Sequence, residues 1–187
     1  MTASLPDLIG DGLDIVFVGI NPSVFSAERG HYYARLGNRF WPALSRSALS
    51  RAARAALGIE RLEPGHDRIL MAHGFGFTDL VKRASPRAGE VSRAEFAGGI
   101  AALKAKLERA APRIACCHGM TVWRPIHDAL AGGAPAPSLG LQSLRFGRTR
   151  LFVAPNPSGG NAHFTLADQV HWYDRLAECL AGADADG

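Results

Sequence analysis

Leu13-Asp14-Ile15-Val16-Phe17-Val18-Gly19-Ile20 is a run of strand length, apolar and rich in β-branched residues, bounded by Gly12 in front and by Asn21-Pro22 behind. A strand with one wet face alternates apolar and polar residues. A run that does not alternate is covered on both faces, as in a parallel sheet. Arg113 to His118 (RIACCH) and Arg150 to Ala154 (RLFVA) read the same way. Ile69 to Leu80 is broken by glycines and has room for a fourth short strand.

Helical patterns lie between these runs. Ser92 followed by Glu95 forms a capping box, in which each side chain satisfies an orphan amide of the first turn. Phe96, Ile100, Leu103 and Leu107 then recur at helical steps, and the pattern ends near Pro112. Thr165 caps a last helix with an inner face of Leu166, Val170, Tyr173, Leu176 and Leu180. Asn38 starts a helix carrying Trp41, Leu44 and Ala48, with Pro42 in its first turn. Met120 to Leu130 is a weaker helix interrupted by Pro125, and Gly132 to Gly140 reads as a loop. Trp41, Trp123 and Trp172 fall on helical patterns as core residues. Strands alternating with helices imply an α/β fold: a three-layer α/β/α sandwich on a short, mainly parallel sheet of four to five strands.

The whole-chain properties bound the function. A chain of 187 residues, 47% hydrophobic and 20% charged, suits one globular domain, with residues 1–12 and 181–187 expected at its periphery. No apolar run approaches the roughly 18–20 residues of a membrane span, and no basic, apolar leader opens the chain. A cytoplasmic monomer is the expectation. Lysine and arginine exceed aspartate and glutamate by 21 to 17, a mild excess. Its distribution tells more: from Glu28 to Arg61 there are seven arginines and two glutamates. Arginine pairs well with phosphate, although a solvated helix face has the same composition. Three cysteines without a CxxC pair give neither a zinc site nor a four-cysteine cluster, so no metal or cofactor is expected. Cys116 and Cys117 read as small core residues.

Two strands end in nearly the same words. The first runs into Gly19-Ile20-Asn21-Pro22-Ser23 and the third into Pro155-Asn156-Pro157-Ser158-Gly159. Ligands of open α/β sheets bind at the carboxyl ends of strands, so both motifs belong to a rim where ligands gather. Asn-Pro and Pro-Ser also form turns, but two copies at two strand ends favour function over punctuation. No Walker loop, GxGxxG or obvious carboxylate pair accompanies them. An asparagine amide does not titrate, so it cannot act as a general base. It can hold a water and meet a heterocycle's edge with one donor and one acceptor. Such a site suits a reaction whose leaving group departs readily and whose water needs aiming more than deprotonation. Hydrolysis of a uracil N-glycosidic bond is of that kind.

These residues carry a family resemblance. Gly19-Ile20-Asn21-Pro22-Ser23, followed by Gly30 and Asn38-Arg39-Phe40-Trp41, resembles the first motif of the mismatch-specific uracil/thymine-DNA glycosylases. Asn156-Pro157-Ser158-Gly159 is similar to the second motif of their bacterial branch. Glu90-Val91-Ser92, Glu95-Phe96, Gly98-Gly99, Ala162-His163-Phe164 and His171-Trp172-Tyr173 extend the likeness from Leu13 to about Leu180. The resemblance implies a monofunctional hydrolase that releases free uracil from single- or double-stranded DNA and leaves an abasic site. It implies that Asn21 positions the water and contacts the base, that Tyr33 stacks on uracil, and that Asn156 faces the base from the second motif. Gly19, Ile20 and His163 are also expected at the base. Ser23, Arg39, Ser158, Gly159, Gly160 and Asn161 are expected along the DNA.

One departure stands out. The family carries a bulky leucine or arginine just after the second motif, which fills the hole left by the flipped nucleotide. Here the chain reads Gly159-Gly160-Asn161-Ala162. A nonenzymatic sensor of damaged or single-stranded DNA, or a hydrolase of free nucleosides, would share the fold. Release of uracil from an oligonucleotide separates the three.

Overall fold

A computed structural model describes residues 4–131 and 135–182. Five strands, β1 (Ile15–Gly19), β2 (Phe75–Asp79), β3 (Ile114–His118), β4 (Gly140–Phe146) and β5 (Thr149–Ala154), form one sheet in the order β2-β1-β3-β5-β4. The three pairs that join the first four strands of this order are parallel, and β4 runs antiparallel to β5 at the edge. Six α-helices accompany them: α1 (Val24–Arg29), α2 (Phe40–Arg46), α3 (Arg51–Leu57), α4 (Arg93–Ala110), α5 (Met120–Leu130) and α6 (Leu166–Gly182). The expected α/β/α sandwich on a mainly parallel sheet is the observed architecture.

The non-alternating runs have the expected cause. Ile15 and Phe17 point into one core with Phe40, Leu44, Tyr173 and Leu176 of α2 and α6. Val16 and Val18 point into a second core with Leu103, Leu107, Val122 and Trp123 of α4 and α5. Every residue of β1, β2 and β3 is buried. Period-two alternation therefore sorts side chains between two oily layers and leaves none for water.

Helix α4 opens with the Ser92–Glu95 capping box, and Thr165 and Asp168 exchange reciprocal hydrogen bonds before α6. Asn38 Oδ1 accepts from the Phe40 amide, which fixes the start of α2. That helix stops at Arg46, earlier than its apolar spacing predicts, and Ala48 is exposed in the following 3-10 turn.

Two stretches depart from expectation. Gly140 falls in β4 instead of a loop, and positions 132–134 of that predicted loop lie outside the described residues. β4 escapes the apolar pattern because Leu141 is exposed, Gln142 sits on the inner side, and the ladder is irregular between Leu141 and Arg145. The amino-terminal segment is integral where the sequence suggested a periphery. Leu5 is buried, Leu8 exchanges two backbone hydrogen bonds with Phe77, and Asp7 pairs with Lys82 and Lys106. This segment covers the open edge of β2, which would otherwise present unpaired backbone groups. No helix among the described residues is long and apolar enough to cross a membrane.

Candidate active site

Parallel register brings the strand ends to one rim. Gly19 pairs with Asp79, and His118 with Ala154, so the residues that follow or close these strands surround the same opening. A cavity of about 170 Å³ lies there, lined by Gly19, Asn21, Tyr33, Asp79, His118 and Asn156 among others. Ile20, Ser23, Arg35, Asn38 and Ser158 also border it.

Asn21 is held by the loop after β2. Its Nδ2 donates to the Arg83 carbonyl at 2.9 Å and to Ser85 Oγ at 2.8 Å. The Arg83 carbonyl can only accept, so the nitrogen of the amide must face it. Ser85 Oγ donates onward to the Arg87 carbonyl at 2.7 Å, which leaves its lone pair for Asn21. Both amide hydrogens are thus consumed, and the Asn21 oxygen remains for the cavity.

Asn156 is held the opposite way. Its Oδ1 accepts from the Ser158 amide at 2.9 Å, closing an Asx turn that fixes the loop after β5. The oxygen is engaged and the two-hydrogen donor remains. Asn161 Nδ2 donates to the Asn156 carbonyl at 2.9 Å, locking the backbone as well.

Tyr33 adopts φ +53°, a left-handed conformation uncommon outside glycine. Phe40 covers one face of its ring, stacked at 4.2 Å between centroids. A base can stack only on the other face. The Tyr33 hydroxyl meets His118 Nδ1 at 2.9 Å, and the Tyr173 hydroxyl meets His118 Nε2 at 2.9 Å. Burial pushes the His118 imidazole down to about 3, so it is neutral at physiological pH. A neutral ring has one donor and one acceptor, so one tyrosine hydroxyl donates to it and the other accepts. His118 thus borders the cavity and also braces the core between two tyrosines.

Asp79 is the functional candidate that the sequence reading missed. It closes β2, is 4% exposed, and one carboxylate oxygen is buried without a hydrogen-bond partner among the described residues. Burial raises its carboxyl to about 7, with Lys82 opposing and Asp7 reinforcing the shift. A side chain at Gly19 would collide with Asp79 Oδ1, so glycine there makes room for the carboxyl. The signal was available: once β2 ends at Asp79, the rule that sites sit at carboxyl ends selects it. The glycine-broken segment concealed where that strand ended.

The DNA-side expectations divide. Ser23 caps α1, accepting from the Ser26 amide, and borders the cavity. Arg39 ties the two motif loops together. Its amide donates to the Pro157 carbonyl at 2.8 Å, and Nη1 donates to Ser158 and Asn161 carbonyls at 3.1 and 2.9 Å. Gly159 lies against the same junction, where a Cβ would stand 2.6 Å from the Gly37 carbonyl oxygen. Gly160, Asn161 and the exposed His163 line a neighbouring groove with Asn156 and Ser158. His163 borders that groove and not the first cavity. Lys82 and Arg83 are engaged internally: Lys82 with Asp7 at 2.7 Å and Arg83 with Glu95 at 2.6 Å.

The chain resembles known proteins in the same terms. It is 28% identical over 177 residues to the G/U mismatch-specific uracil DNA glycosylase of Schizosaccharomyces pombe, covering 93% of this chain and 53% of that protein. It thus spans about half the length of that relative. Its fold matches a Methanosarcina acetivorans protein, solved by solution NMR and provisionally described as a uracil DNA glycosylase. That match has a TM-score of 0.56 at 19% identity, over 95% of this chain and 98% of the other. The model of the uracil DNA glycosylase superfamily matches residues 6–178, and the chain belongs to that superfamily.

Proposed function

We propose that this chain is a monofunctional DNA glycosylase that hydrolyses the N-glycosidic bond of uracil flipped out of DNA. The observation that carries the reading is the opposed pinning of two asparagines at one cavity: Asn21 offers an acceptor and Asn156 a donor. That pair suits a water on one side of the sugar and a departing base on the other.

The chemistry follows from these groups. Extruding the nucleotide costs a few kcal/mol of lost stacking, and the free face of Tyr33 returns part of it. As the bond from C1′ to the base lengthens, C1′ gains positive charge and uracil takes the electron pair. The Asn156 amide donates to the uracil oxygen where that charge collects, an interaction stronger in the transition state than before it. The Asn21 oxygen accepts a hydrogen bond from the water and aims its lone pair at C1′. Once the new C–O bond forms, the water must lose a proton. Asp79, with a carboxyl near 7, is ionised in a useful fraction at neutral pH and accepts it. Released uracil regains a proton from solvent, and an abasic site remains.

Uracil opposite guanine is one substrate to test, since the fission yeast relative is named for that mismatch. Incubation with uracil oligonucleotides decides the reading. Release of free uracil from DNA is expected. Binding without release would make the chain a sensor, and release from free deoxyuridine alone would make it a nucleosidase.

A further inference from the structure

The loop after the second motif offers glycine where a duplex-entering side chain is expected, yet the same edge of the molecule carries bulk from another source. Leu36 is 88% exposed, whereas the other exposed large apolar side chains among the described residues, Val24, Ile69 and Leu141, reach 36, 41 and 45%. A single exposed leucine says little by itself; its place in the fold is what gives this one meaning.

Leu36 stands at the apex of a tight turn. The Asn38 amide donates to the Arg35 carbonyl at 3.1 Å, and Gly37 takes φ +79° at the third position, as a type II turn requires. Arg35, the residue before the apex, borders the base cavity. The residue after it, Gly37, packs its carbonyl on Gly159, so Leu36 and Gly160 are each one residue from the same contact. Arg39 then clamps the turn to the second-motif loop through three hydrogen bonds. The apolar tip is therefore held rigidly beside the cavity mouth, next to the position where the plug is missing.

Resting on the glycosylase reading, we infer that Leu36 is the wedge of this protein. It enters the base stack at the uracil site, fills the space left by the extruded nucleotide, and is flanked by Arg35 for the phosphates. Proteins that open duplexes commonly insert an aliphatic side chain between base steps in this way. The source of the wedge has moved from the second motif to the first, and Gly160 is small because Leu36 occupies the space.

The test compares duplex with single strand, because only the duplex needs a wedge. Leu36→Ala should lower single-turnover excision of uracil paired with adenine by about tenfold or more, and excision from single strands by no more than about twofold. Leu36→Met should retain duplex activity. Adding Gly160→Leu to Leu36→Ala should recover part of it, since a Cβ at Gly160 meets nothing closer than Ser158 Oγ at 3.8 Å. Equal losses on both substrates, or no loss on the duplex, would overturn the wedge. 2-Aminopurine placed beside the uracil gives a readout independent of cleavage. Its emission should rise when the parent binds and stay low with Leu36→Ala. If the parent releases no uracil at all, the glycosylase reading fails, and this emission still decides the wedge: an equal rise with both proteins overturns it.

Discussion

The two Asn-Pro-Ser segments share a sequence and a place at the rim, but their asparagines do opposite things. Asn21 follows β1 and spends its nitrogen on acceptors of the loop beyond β2. Asn156 follows β5 and spends its oxygen on its own turn. One is oriented by partners 62 and 64 residues away in sequence, the other by a neighbour two residues away. The same residue therefore becomes an acceptor in one rim and a donor in the other, because the surroundings decide which end of the amide is left over.

The largest effect should come from the first rim. Asn21→Ala is expected to lose at least about a hundredfold in single-turnover excision, ~2.7 kcal/mol, while binding to uracil DNA changes much less. Asn21→Asp sharpens the point. It keeps an oxygen for the water but sets a second one against the Arg83 carbonyl, so it should not restore the rate. Full activity in Asn21→Asp would show that the orientation of this amide is unimportant.

The second rim should respond differently to the same change. Asn156→Asp keeps an oxygen for the Ser158 amide, so the loop holds, but it removes the donor and places charge near the departing base. A loss of about thirtyfold, ~2 kcal/mol, is expected, somewhat below the roughly 2.7–4 kcal/mol that removal of one preorganised donor can cost. Rates measured with the loop shown intact by amide NMR shifts would check it.

Asp79 closes β2, on the outer side of the first rim, and should give a smaller loss with a pH signature. The parent rate should rise as pH passes through about 7, and Asp79→Asn should be slower by about tenfold above that pH and flat across it. Stability runs the other way. The folded state holds this proton more tightly than the unfolded chain, whose ordinary value is 3.8. The group therefore favours folding below 3.8, and that contribution is lost as pH rises through about 7. Asp79→Asn should then gain thermal stability over the parent at about pH 8 and show no gain near pH 4. His118, held near 3 by burial, has the opposite sense but is common to both proteins and cancels in the difference.

The smallest effect on rate belongs to Tyr33→Phe, which keeps the stacking face. It leaves His118 Nδ1 without its tyrosine partner, so the cost should fall on stability, about 1–3 kcal/mol by denaturant melts. A severe rate loss with normal stability would assign the hydroxyl to the chemistry.

The difference between the rims also measures how far the sequence could be read. Runs such as Ile15–Val18 and Ile114–Cys117 are buried on both faces, so composition alone marks them as strands. The rim residues Asn21 and Asn156 were legible because short motifs fix them at strand ends. The direction of each amide was not legible, since it depends on Arg83 and Ser85, which are distant in sequence. Asp79 was hidden by glycines that blur the end of β2, and β4 by an inner glutamine and an outer leucine. Arg39, expected along the DNA, also makes three hydrogen bonds that bind the two motif loops together, a part no motif spacing announces.

The most direct measurement is single-turnover release of free uracil from a duplex with uracil opposite guanine, run beside binding to the same duplex, for the parent and for Asn21→Ala. The account predicts uracil release by the parent, loss of at least about a hundredfold in the variant, and similar binding by both. Binding by the parent without release, or undiminished release by Asn21→Ala, would contradict it.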